Sequence, residues 1–327
     1  MTSGMNAEPK PARVAQLVLN RLLGLRGGSL TQQLLLKMFT VLRTALAKAG
    51  DPLVMYNVEG HPLVLPVSHD FPLDHGCFPD YGTNIARLAA FLERRFPDFS
   101  VIDVGANVGD TLALLRTRSV APVLCIEGSP RYFPLLLYNA THLQPAEVLQ
   151  CFIGEREGII EGNLVHDRGT ARIADHGHHR IPIRTLVSIL AEHAQFREAR
   201  LLKSDTDGFE AKVLRGARDW LEEVSPVLFF EFDPYFLHRQ GDAPEQLLAF
   251  VAACGYDRFL AYEEMGDFLL SGSLADRSLV EDLCLHYTGW GGRRYADLCV
   301  FPRTLADPAD EFISSERLYF RRRKRIE

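Results

Sequence analysis

The chain has 327 residues, 47% of them hydrophobic and 24% charged, with a formal net charge of −6. That composition is ordinary for a globular protein and leaves room for one large α/β domain with extensions, or for two domains. The acidic balance argues against a general nucleic-acid binder, and no apolar run reaches the ~18 residues that would span a bilayer.

The first residues lack the basic, apolar and small-residue segments of a secretory signal, so a cytoplasmic location is expected. Six cysteines are scattered at 77, 125, 151, 254, 284 and 299 with no C-x-x-C pair. They read as reduced thiols, most of them buried, with no disulfide framework and no metal site. Residues 1–12 are expected to be disordered. Ala15–Leu25 and Gln32–Lys48 read as amphipathic helices around Gly28, giving an N-terminal helical extension over 1–50. Leu34, Leu35, Met38, Phe39, Leu42 and Leu46 follow the helical period. They would pack on the main domain or on a second copy in a homo-oligomer. Lys37, Arg43 and Lys48 lie among them, which also suits a weak contact with a membrane surface.

Residues 53–67 read as a β-hairpin turning at Glu59-Gly60. A Pro-rich, aromatic loop runs on to Tyr81, and its His69, Asp70 and Tyr81 suit either a lid or plain surface. Thr83 caps a helix to about Phe96. From Val101 strands and helices alternate. Strands are expected at 100–104, 122–127, 147–152, 200–205, 226–232, 257–263 and 296–301. Helices are expected at 109–118, 130–141, 185–195, 208–221, 243–254 and 276–285. Near-continuous apolar strands such as Val227-Leu-Phe-Phe argue for a parallel sheet covered on both faces. Residues 306–327 read as a basic tail whose Arg321–Arg325 run is solvated. A weak phosphate or lipid contact is the sharper alternative for that run.

Three clusters carry chemistry. In Val101-Ile-Asp103-Val-Gly105-Ala106-Asn107-Val-Gly109-Asp110 a strand ends in an acid and feeds a glycine loop that opens a helix. Glycine lets backbone amides approach a ligand closely, and Asn107 tolerates a left-handed conformation. A dinucleotide fingerprint would need glycines at positions 107 and 110, which are Asn107 and Asp110, so an NAD-linked oxidoreductase is disfavoured. Glu127 ends the next strand, before Gly128-Ser129, and its carboxylate has the acceptor capacity to hold both hydroxyls of a ribose. In the third cluster, Leu201-Leu-Lys203-Ser-Asp205-Thr-Asp207-Gly208-Phe-Glu210, a strand delivers Asp205 to its carboxyl end. Helix capping is the stronger reading of Asp207 and Glu210. Glu231 and Asp233 close the next strand and suit either a pocket wall or a cap. Asp175-His176-Gly-His178-His179 reads as a solvated polar loop.

Asp103-Val-Gly-Ala-Asn-Val-Gly-Asp, Glu127-Gly-Ser-Pro, Thr185-Leu186, Leu202-Lys-Ser-Asp205-Thr-Asp-Gly-Phe-Glu210 and Val213-Leu-Arg-Gly216-Ala, in that order, closely resemble the FkbM-type methyltransferase family over roughly 100–235. Two departures are Asp207, where the family commonly has Glu, and polar Ser204. The resemblance implies a class I S-adenosylmethionine (SAM)-dependent methyltransferase: a Rossmann-like three-layer α/β sandwich over 51–305 with a mostly parallel, seven-stranded sheet. It implies SAM as cofactor, held by Asp103, Gly105, Ala106, Asn107, Gly109, Glu127, Gly128 and Ser129. It further implies O-methylation of a hydroxyl on a sugar, glycan or small natural product. Asp205, Glu231 or a histidine of the 166–179 loop could act as general base, with Asp205 the first choice. A non-catalytic binding or scaffold protein retaining the fold is the alternative, and nucleic-acid methylation is disfavoured by the charge.

Overall fold

The computed structural model describes residues 9–25, 28–167 and 169–325; the expected disordered start falls largely on residues 1–8, outside the described residues. The chain begins with helices α1 (Arg13–Gly24) and α2 (Leu30–Lys48), then the hairpin β1 (Leu53–Val58) and β2 (His61–Pro66), then α3 (Phe71–Cys77) and α4 (Thr83–Glu93). The alternating region follows: β3 (Val101–Val104), α5 (Asp110–Arg116), β4 (Val123–Glu127), α6 (Phe133–Ala140), β5 (Ala146–Gln150) and β6 (Phe152–Ile153). A long antiparallel arm, β7 (Gly158–Asp167) and β8 (Thr170–Arg184), leads to α7 (Leu186–Glu192), β9 (Leu201–Ser204), α8 (Glu210–Gly216), α9 (Arg218–Val224) and β10 (Val227–Phe232). The chain closes with α10 (Pro234–Arg239), α11 (Pro244–Ala253), β11 (Tyr256–Glu263), β12 (Phe268–Ser273), α12 (Arg277–Tyr287), β13 (Ala296–Pro302) and α13 (Ala306–Arg323).

The central sheet has eight strands in the order β12-β11-β13-β10-β9-β3-β4-β5. Five neighbours, β10, β9, β3, β4 and β5, are parallel, and β13, β11 and β12 complete one edge in antiparallel fashion. All seven expected strands are present. The eighth, β12, is an edge strand whose residues are all half-buried, so it lacks the apolar signature of the interior strands. The parallel strands β10, β9, β3 and β4 are buried throughout, the edge strand β5 is not, and successive residues go to opposite faces, as the pleat requires. Val101, Val123, Leu201 and Val227 enter one core with α4, α5 and α13, while Ile102, Leu124, Leu202 and Leu228 enter the other with α7, α8 and α11. The result is the expected three-layer α/β sandwich. The chain winds from β3 outward to β5 and then returns to β9 on the other side. The strand order therefore reverses between β3 and β9, where ligands bind in such sheets.

Three expectations change. The polar stretch around 166–179 is not a loop but part of the β7–β8 arm, whose ladder runs from Gly158↔Ile183 to Asp167↔Thr170. The 208–221 helix is two helices meeting at Ala217. The region from 306 is no free tail. Helix α13 buries Ala309, Phe312, Ile313 and Phe320 along one face, while its other face and its last basic residues stay in solvent. Its anchor is Glu316, which is 2% exposed and accepts from Arg87 Nε and Nη2 at 2.7 Å each and from Tyr262 Oη at 2.9 Å. Four cysteines are buried as read, Cys151 is half-buried, Cys77 is exposed, and all six are free.

Removing one partner of a buried, hydrogen-bonded ion pair leaves an uncompensated charge. Glu316→Ala should therefore lower unfolding free energy in urea by about 3–5 kcal/mol. A loss below about 1 kcal/mol, the range of exposed pairs, would show that α13 is not anchored this way.

Candidate active site

The glycine loop leaves β3 at the reversal point. Gly105 has φ +79°, and a Cβ there would lie 1.8 Å from the Asp205 carbonyl oxygen, so the loop after β9 passes too close for any side chain. Asn107 takes φ 50° as expected. Its side chain fastens the arm: Nδ2 donates to the Gly169 carbonyl at 2.5 Å, and Oδ1 lies 3.3 Å from His69 Nε2.

Glu127, at the end of β4, is 6% exposed. Its Oε2 accepts from the Asn107 N–H at 2.8 Å and its Oε1 from the Ser129 N–H at 2.6 Å. Burial pushes its carboxyl up to about 7, against the pull of these two N–H bonds. Each oxygen keeps acceptor capacity for a further donor. Phe152 packs on Gly128, where a Cβ would meet the ring at 2.3 Å, so glycine and ring together make a flat apolar wall beside the carboxylate.

On the other side of the reversal, Lys203 of β9 stands opposite Asp103 of β3 in the parallel register. Its Nζ lies 3.1 Å from Asp103 Oδ1 and 3.4 Å from Asp205 Oδ2, and it donates to the Gly105 carbonyl at 3.2 Å. Asp103 is fully buried and has no other hydrogen-bond partner, and burial pushes its carboxyl up against the pull of Lys203. Burial also disfavours the Lys203 charge, but Asp103, then Asp205, outweigh it and hold the ammonium charged.

Glu210 caps its own loop, accepting from the Thr206 N–H and hydroxyl and from the Gly208 N–H. Asp233 likewise accepts from the N–H groups of Tyr235 and Phe236 and caps α10. Glu231 is different. It caps no helix, it is 7% exposed, its Oε2 (like Asp233 Oδ2) has no hydrogen-bond partner among the described residues, and burial, then Asp205, raises its carboxyl well above the usual range.

These elements enclose a cavity of about 710 Å³. Of the expected site residues, Gly105, Asn107, Glu127, Gly128, Asp205 and Glu231 line it. Asp103, Ala106, Gly109 and Ser129 do not; they lie behind the wall and act on it through Lys203, through backbone shape and through the Ser129 N–H. His69, Asp70 and Tyr81, read as either a lid or plain surface, line the cavity, joined by Gly169 from the arm. A smaller recess of about 70 Å³ adjoins it, lined by Tyr81, Asn84, Ser204, Glu231, Tyr295 and Asp297. Burial, then Asp205, pushes Asp297 up to about 7. Sequence reasoning missed Asp297 and Tyr295, which reach the site only because β13 inserts antiparallel beside β10. It quoted Lys203 without assigning it a role. Among the described residues no cluster of His, Cys, Asp and Glu is arranged to hold a metal; His176 and His178 have side chains outside the description.

Lys203→Met would leave Asp103 buried without its cation, at an expected cost of about 3–5 kcal/mol in chemical denaturation. Adding Asp103→Asn should restore at least about half of that, because the uncompensated charge is gone. A single variant as stable as the parent would overturn the pairing.

Residues 103–258, just under half of the chain, match the family model described as "Methyltransferase FkbM domain". No curated protein matches the chain. Among solved structures, the chain is similar to methyltransferase FkbM from Methylobacillus flagellatus, with 21% identity and a TM-score of 0.35. That likeness covers 50% of this chain and only 40% of that one. It is similar to a SAM-dependent methyltransferase from Agrobacterium tumefaciens, with 10% identity, 76% and 70% coverage, and a TM-score of 0.39. It is also similar to the plantazolicin methyltransferase BamL in complex with SAH, with 8% identity, 88% and 98% coverage, and a TM-score of 0.37. The glycine loop, Glu127 and the Lys203–Asp205 strand end all fall inside the stretch that matches this family model.

Proposed function

We propose that the protein transfers a methyl group to a hydroxyl of a sugar, glycan or small natural product. The observation that carries this reading is the unpartnered Oε2 of buried Glu231, on the wall shared by the main cavity and the recess. SAM supplies a methyl group already activated on a sulfonium, so the protein's task is alignment and proton removal.

The residues present fit that cofactor. Glu127 would accept from the ribose hydroxyls, Gly105 and Asn107 would give the backbone room to approach, and Phe152 and Ile126 would flank the adenine. A volume of about 710 Å³ is ample for a nucleoside-sized ligand. The acceptor would enter the side lined by Glu231, Tyr295 and Asp297. Glu231 is the better placed base, because it is buried with an unpartnered Oε2, whereas Asp205 is half exposed and ion-paired with Lys203. A carboxylate with a raised pKa takes a hydroxyl proton more readily. Glu231 therefore replaces Asp205 as first choice. It must be ionised to act, so turnover should rise with pH through its raised pKa.

Two outcomes test the reading. SAM affinity by calorimetry should strengthen as pH rises through about 7, where the Glu127 carboxyl ionises, and Glu127→Gln should flatten that dependence. A flat profile in the parent would remove Glu127 from the ribose. Glu231→Gln should lower kcat by about 100-fold or more while leaving SAM affinity within about twofold. A parent that binds no SAM at all would favour the scaffold reading.

A further inference from the structure

Helix α2 carries an apolar face that none of the described residues covers. At ~100° per residue, Leu30, Leu34, Met38, Val41 and Ala45 fall within one arc of ~80°. The first four are 78%, 68%, 51% and 69% exposed, and no residue of the helix is fully buried. The helix is nevertheless fixed in orientation by its opposite side. There Arg43 donates to the Val67 carbonyl at 2.7 Å and to the Ser68 carbonyl at 2.8 Å, and pairs with Asp70 at 2.7 Å, while Leu46 packs on the core. The apolar arc is thus held outward by its own anchor.

Charge decides what meets it. Lys37 and Lys48 are exposed and border the arc on one side. Residues 9–50 contain seven Lys and Arg and no Asp or Glu, in a chain whose net charge is −6. A second copy docked on the same face would bring two basic helices together with no acid to pair them. An anionic lipid surface offers both an apolar layer for Leu34, Met38 and Val41 and counter-charge for the lysines. No helix among the described residues is long and apolar enough to cross a membrane, so the contact would lie in the interface plane.

We propose that α2 is an interfacial helix that seats the protein on an anionic lipid surface. The segment it grips through Arg43 continues into His69, Asp70 and Phe71, which line the cavity, so seating would bring that side of the cavity toward the lipid. The test is sedimentation of the full chain with phosphatidylcholine vesicles, with and without phosphatidylglycerol. The parent should sediment with the anionic vesicles, remain in solution with phosphatidylcholine alone, and be partly released by salt. Leu34→Ser with Met38→Ser, and separately Lys37→Glu with Lys48→Glu, should each weaken partitioning at least about tenfold. Neither pair should change the melting temperature, because all four side chains are exposed. Parent protein left in solution with both vesicle types overturns the proposal, as does sedimentation unchanged by either pair. So does a dimer in solution that Leu34→Ser with Met38→Ser dissociates, which would assign the face to a second copy.

Discussion

Lys203 is the point on which the site turns. Its ammonium is buried at the strand reversal and touches three partners from two neighbouring strands: Asp103 behind the wall, the Gly105 carbonyl in the glycine loop and Asp205 at the rim. A charge with so little water must be compensated locally, and the local groups are the ones that shape the cavity. The pairing therefore links the β3 loop to the end of β9. Gly105 does the same by sterics, since its missing Cβ leaves room for the Asp205 carbonyl. Electrostatics and van der Waals contact thus set the spacing between the glycine loop and the carboxylates at the ends of β9 and β10.

From that fixed seam the remaining parts follow. Glu127 is positioned by the Asn107 N–H on one side and the Ser129 N–H on the other, so the loop that approaches a ligand also orients the acid beside it. Asn107 carries the geometry one step further, to the carbonyl of Gly169 at the tip of the arm. His69 lies against both, and its burial keeps the ring toward the neutral form. One asparagine therefore ties cofactor loop, arm and lid segment together. Across the seam, β13 brings Asp297 against β10, opposite Glu231 in the antiparallel register. For both carboxyls burial, and then the nearby Asp205, raises the cost of ionising.

What could be read from the sequence follows the strength of the local signal. The inner parallel strands β3, β4, β9 and β10 were legible because both their faces are buried, leaving largely apolar runs. The glycine loop was legible because its backbone admits few other residues. Glu127 was legible as an acid at a strand end. The arm was not, since residues such as Glu161, Asn163 and Arg180 break the apolar alternation that marks a half-buried strand. Helix α13 was hidden by its many charges, although Phe312, Glu316 and Phe320 share one face. The pairing of Asp103 with Lys203 depends on the register of two strands far apart in sequence, and no local pattern encodes it. The same holds for Asp297, and for the result that Asp103 and Ser129 support the wall without lining it.

The central claim is that the cavity at the β3–β9 reversal holds the methyl donor with its ribose on Glu127. A crystal structure of the protein with S-adenosylhomocysteine tests it most directly. The account predicts both ribose hydroxyls hydrogen-bonded to the Glu127 carboxylate, the adenine beside Phe152, and the sulfur facing the side of the cavity where Glu231 lies. A ligand bound elsewhere, or one in the cavity with its ribose away from Glu127, would contradict it.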